Sequence, residues 1–65
     1  MATTLALTLE SVRVGHDRVA LIKRKRLDGV IVGYEVVRNG VEKTETLFRG
    51  ISEMSARHWF RHFSQ

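Results

Sequence analysis

Cysteine and proline are both absent from this chain of 65 residues. Without cysteine there is no disulfide staple and no thiolate zinc or iron-sulfur site, so packing must hold the fold, helped if copies associate. The missing proline, with 43% hydrophobic and 28% charged residues, excludes a proline-rich disordered composition and describes one small domain over 1–65. Long apolar runs are missing too. No stretch nears the roughly 20 residues that span a bilayer, and the first ten residues have no basic start and no continuous apolar core. A soluble, cytoplasmic protein without a membrane partner is expected. A domain this short buries only about 60% of the surface its unfolded chain exposes, leaving little room for a deep supported pocket. The chain is expected not to be an enzyme and to need no cofactor.

What is present is positive charge, and it is focused. The net +4 divides into −1 over residues 1–10, +5 over 11–26, −2 over 27–48 and +2 over 49–65. Such a patch attracts polyanions, whether nucleic acid, an acidic protein face or an anionic membrane, and does not choose among them.

Leu5, Leu7 and Leu9 repeat every second residue and Val12 and Val14 continue one step out of phase, which predicts a first strand with a bulge near Glu10-Ser11. Turn residues 15–17 lead into a second strand from about Arg18 to Leu27. Asp28-Gly29 and Asn39-Gly40 then predict two hairpins with two-residue loops. That register sets Lys23 opposite Tyr34, Leu21 opposite Val36, Lys25 opposite Val32 and Tyr34 opposite Glu45. One face then gathers Leu21, Leu27, Val30, Val32, Tyr34, Val36, Val41 and Leu47. The other gathers Arg24, Arg26, Gly33, Glu35, Thr44 and Thr46, with Ile22, Ile31, Val37 and Phe48 among them. Lys23 and Lys25 fall on the apolar face, so either they snorkel outward or a bulge within 23–26 shifts the alternation. From Ser52 the period changes. Ala56, Trp59, Phe60 and Phe63 lie at i, i+3, i+4 and i+7, an amphipathic helix with Ser52 or Ser55 as its N-cap. The expected fold is α+β: a four-stranded antiparallel meander, ββββα, with the C-terminal helix packed on one face.

The candidate anion-binding residues are Lys23, Arg24, Lys25 and Arg26 with Thr44 and Thr46, whose hydroxyls can donate to phosphate while Gly33 permits close approach. The same charges would also guard a strand against edge-to-edge pairing. Arg57, His58, Arg61 and His62 form a second basic surface on the outer helix face, or simply a solvated one that suits the helix dipole. Phe48 offers a possible stacking platform beside Arg26. His58 and His62 lack the further ligands a zinc site needs, and no nucleophile with a base or glycine-rich phosphate loop is present, so no metal site or catalytic residue is expected.

The hairpins at Asp28-Gly29 and Asn39-Gly40, the basic strand and the trailing Trp59 helix resemble the three-stranded-sheet-plus-helix DNA-binding domains at the N-termini of some tyrosine recombinases. The ββββα order is also similar to the transcriptional-coactivator type of single-strand binder. Both resemblances imply a sheet that lies on nucleic acid. The leading expectation is a small non-catalytic nucleic-acid-binding or regulatory module. The alternative is a small protein-interaction module, such as a phage or mobile-element type inhibitor, docking on an acidic or nucleic-acid-binding face of a larger complex. A homodimer is compatible with both.

Overall fold

Leucine alternation and β-branched runs do produce consecutive strands in the computed structural model, which describes residues 4–65. They are β1 (Thr4–Val14), β2 (Asp17–Arg26), β3 (Ile31–Asn39) and β4 (Thr44–Gly50), paired antiparallel in the order β1-β2-β3-β4. Helix α1 (Glu53–Phe63) follows and lies over β2, β3 and β4. The fold is therefore the expected ββββα meander with one covered and one open sheet face.

The helix begins where its cap chemistry allows. Ser52 has extended backbone and its hydroxyl accepts from the Ser55 N–H at 3.2 Å, with acidic Glu53 in the first turn and Arg61 and His62 in the last, matching the helix dipole. Its inward stripe places Ala56 and Phe60 on Val19, Leu21, Tyr34 and Val36; Val12, Val14, Leu47, Phe48 and Phe63 pack around them. Val19, Leu21 and Val36 are fully buried, each contributing about 1.5–3 kcal/mol of apolar transfer. Tyr34 anchors the helix start by donating from its hydroxyl to Glu53 at 3.0 Å. Burial raises the phenol's pKa, as does its bond to Glu53; hydrogen bonds from Arg57 and then Tyr34 lower that of the Glu53 carboxyl.

Turn geometry is where the sequence-based register fails. Asp28 cannot enter a type I′ turn, since glycines alone have positive φ among the described residues. The chain closes instead through a three-residue loop, in which the Arg26 carbonyl accepts from Gly29 N–H at 3.0 Å, Arg26 N–H donates to Val30 at 2.8 Å and Gly29 takes φ 93°. Lys25 thus faces Ile31 rather than Val32. Val32 becomes the extra residue of a bulge in β3, and the predicted pairs Lys23–Tyr34 and Leu21–Val36 are restored beyond it. In the second hairpin four residues, 40–43, form the loop, so Arg38 faces Glu45 and Tyr34 faces Gly50. The Tyr34–Glu45 pairing expected from a two-residue loop does not occur. Leu47 is the extra residue of a further bulge, and a bulge at Leu9 lies close to the one predicted in β1.

These shifts change the faces. Leu27, Val30, Val32 and Val41, expected on the apolar face, are exposed, and Phe48 crosses to the helix side. Gly33 and Gly50 close the β3–β4 corner: a Cβ on Gly33 would sit 2.9 Å from the Gly50 carbonyl oxygen. No helix among the described residues is long and apolar enough to cross a membrane.

Candidate nucleic-acid interface

Strand alternation sorts the run at 23–26 by residue type. Nothing interrupts β2, so Arg24 and Arg26 continue the face of Arg18, Ala20 and Ile22, whereas Lys23 and Lys25 continue that of Val19 and Leu21. The lysines lie on the helix side, half-buried, with Lys23 close enough to favour the charged form of Glu53. The irregularity belongs to β3, so Lys23 and Lys25 keep the helix-side alternation of β2. The candidate set Lys23, Arg24, Lys25 and Arg26 is thus divided between the two faces.

On the open face Arg24 and Arg26 are joined by three arginines not singled out from the sequence. Arg13 of β1 stands directly opposite Arg18 of β2, and Arg49 of β4 directly opposite Glu35 of β3. Arg13 needed the β1 bulge placed to within a residue, and Arg49 needed the Leu47 bulge in β4. Neither has a local signal.

Two kinds of arginine share this face. Arg24 and Arg49 are clamped on Glu35, one on each carboxylate oxygen, with the Arg49 bond at 3.2 Å. Glu35 is only 3% exposed. Burial alone would raise its pKa, but the hydrogen bonds and charges of Arg24 and Arg49 outweigh it and the carboxyl titrates below its ordinary range. Arg13 and Arg18 differ: neither has an acidic partner among the described residues, and Arg18 donates only to Ser11 Oγ at 3.1 Å. Like charges placed directly across a sheet are unfavourable, so sheet stability does not account for this pair. Arg26 is held at 2.6 Å by Asp28 of the turn.

Between the two arginine clusters the face is small and smooth: Ala20, Ile22, Gly33, Val37 and Thr46. Arg18 and Arg24 are six residues apart on one strand, about 20 Å at roughly 3.3 Å per residue. Thr46 is exposed here, while Thr44 on the same face donates to Asn39 at 2.9 Å. Beside Arg24, Glu35 and Arg49, where β4 ends and β3 runs on, a hollow of about 400 Å³ opens against Val32, Tyr34 and Ile51.

Among the described residues the open face holds no aromatic side chain. Phe48 is turned by the Leu47 bulge to stack on Trp59 at 6.5 Å, away from Arg26, so its expected place on the basic face is corrected. Trp59 also stacks on Phe63 at 5.8 Å, with His58 and His62 edge-on at 5.4 and 5.6 Å.

The second basic surface lies on the other side of the sheet. Arg57 is drawn from it, donating to Glu53 at 3.1 Å and Glu10 at 3.3 Å and so tying α1 to β1. His58, Arg61 and His62 remain exposed. Among the described residues no three His, Cys, Asp or Glu side chains are grouped to hold a metal ion.

Glu35 makes a prediction about acid stability. A group whose folded pKa is depressed stabilises above its unfolded value, about 4.3 for glutamate, and that stability is lost as pH falls through the folded pKa. Stability is expected to drop below about pH 4.5 and Glu35→Gln to flatten that acid limb, leaving the share of Glu53. Because Arg24 and Arg49 are 43% and 74% exposed, screening should hold the neutral-pH loss to about 1–2 kcal/mol, short of a fully buried pair. Urea titrations of both proteins between pH 3 and 7 measure it; an unchanged acid limb in the variant contradicts the assignment.

The fold and this face define a class: a small α+β domain with one helix-covered sheet face and one arginine-lined open face. Compared with known proteins, the chain matches no family model, no curated protein and no solved structure.

Proposed function

We propose that this chain is a small non-catalytic module that binds a nucleic-acid duplex in the cytoplasm through its open sheet face. The observation that carries the proposal is the gathering of Arg13, Arg18, Arg24, Arg26 and Arg49 on one uncovered face without any aromatic side chain among them. Arginines fit phosphate by their planar fork of donors, and phosphate contacts supply most of the affinity of such proteins. Without a ring to stack on, an unpaired base gains little here, which favours a duplex over a single strand. A major groove is about 12 Å wide and admits a β-ribbon. Arginine clusters about 20 Å apart can reach the phosphates on its two rims while Ile22 and Thr46 face the groove between. Glu35 holds Arg24 and Arg49 in place, which lowers the ordering cost on binding.

Fluorescence anisotropy with labelled duplex and single-stranded DNA and RNA of one sequence, titrated across salt, tests this. Tighter binding to a duplex is expected, with log affinity falling against log salt at a slope of roughly −4, for about four neutralised phosphates. No binding at low salt, or an equal preference for single strands, overturns it.

A second reading, a protein-interaction module that docks on an acidic face of a larger complex, is favoured by Ile51 and Met54. They stand 85% and 83% exposed at the start of α1. It requires a stoichiometric complex that forms without nucleic acid.

A further inference from the structure

We infer that β1 is the surface through which two copies of this chain associate, their strands running antiparallel about a twofold axis within residues 4–9 to join both sheets into one. β1 is the terminal strand of the sheet and is eleven residues long, so one row of its backbone donors and acceptors points away from β2. Natural sheets protect such an edge by shortness, charge or proline. The opposite edge has that protection. β4 is seven residues long and carries Glu45 and Arg49, with Lys43 bound to Glu45 at 3.0 Å.

Residues 4–9 have none of it. Thr4, Leu5, Ala6, Leu7, Thr8 and Leu9 are uncharged, and pairing with β2 is regular up to the Leu9 bulge. Because α1 lies over β2, β3 and β4, this end of β1 is bare, and Leu5, Leu7 and Leu9 are 42%, 39% and 37% exposed.

The pattern fits a second copy in particular. A twofold axis perpendicular to the sheet sets each residue opposite one of the same parity, whichever residue lies on the axis. With the axis at Ala6, Leu5 meets Leu7 on the helix side, while Thr4 meets Thr8 and Ala6 meets its own copy on the open side. No like charges are opposed within the segment, which an arbitrary strand would not guarantee. Association would also offset the small core available to a 65-residue domain. Both helices would lie on one side and both arginine faces on the other. The inference does not depend on what those faces bind.

Sedimentation equilibrium of the whole chain over about a hundredfold concentration range is expected to show a reversible monomer–dimer equilibrium. Thr8→Lys and Leu7→Lys each add the charge that natural edges use, and each should raise the dissociation constant at least about tenfold with an unchanged circular dichroism spectrum. Thr8 faces solvent, so that variant keeps the test valid if Leu7→Lys fails to fold. As the chain has no cysteine, Ala6→Cys, Leu7→Cys and Thr8→Cys form a clean cross-linking series, in which only residues at the axis should give a disulfide-linked dimer. A monomer at every concentration with no cross-link overturns the inference. So does a dimer unaffected by the lysine variants.

Discussion

Reversing Arg13 and Arg18 together to glutamate is expected to weaken duplex binding by at least about a hundredfold and to lower the salt slope by about two. These are the arginines to reverse because they lack acidic partners, so the change exchanges one like-charge pair for another and breaks no bond in the fold beyond that of Arg18 to Ser11. Reversing Arg24 would instead set a second carboxylate beside buried Glu35 and confound binding with stability. Arg61→Glu is the control on the other face, changing the net charge by about half as much as the double reversal. It lies on the side of the sheet away from the open face and should leave affinity within about threefold. Anisotropy on the three proteins at one salt concentration, with circular dichroism to verify folding, separates the outcomes. Equal losses per unit of charge from Arg61→Glu and the double reversal would mean that total charge, not the arginine face, drives binding.

Phe60→Ala should unfold most of the molecule. Phe60 is the largest side chain the helix buries in the core formed by Leu21, Tyr34 and Val36, and truncating such a residue costs about 3–5 kcal/mol. A domain of this length has a total stability of only about 3–10 kcal/mol, at roughly 0.05–0.15 kcal/mol per residue. Trp59, the single tryptophan, reports the loss directly, because it rests on Phe48 and Phe63. Red-shifted emission and a lost urea transition are the expected results. A cooperative transition within about 1 kcal/mol of the parent would show that the helix is not what holds the sheet's covered face.

The fold class was legible because its signals are local. Leu5, Leu7 and Leu9 repeat at the strand period, and Ala56, Trp59, Phe60 and Phe63 at the helical one, with Ser52 placed to cap. The candidate site was legible only in part. Arg24 and Arg26 could be placed on one face by alternation along a single strand, and they remain together. Arg18 follows from the same alternation on β2, although it was not singled out, whereas Arg13 and Arg49 depend on how strands align with each other, which alternation within one strand does not specify. Asn39-Gly40 carries a strong two-residue hairpin signal, yet Asn39 ends β3 and the loop takes four residues; Thr44 and Thr46 keep the expected side, and the Leu47 bulge then takes Phe48 off the basic face and brings Arg49 onto it.

The sequence by itself determined the element order, the amphipathic helix and the concentration of positive charge in residues 11–26, because periodicity and composition are properties of neighbouring residues. Only the tertiary structure decided which arginines share a face and which aromatics are withdrawn from it. Bulges at Leu9, Val32 and Leu47 each add one residue to a ladder and so reverse the side on which the following residues lie. Whether a bulge forms is settled by packing across the sheet, where α1 must find Leu21, Tyr34, Val36 and Phe48 together on one side. Burying that apolar set outweighs the preference of any one turn dipeptide, and the arginine face is what remains on the other side.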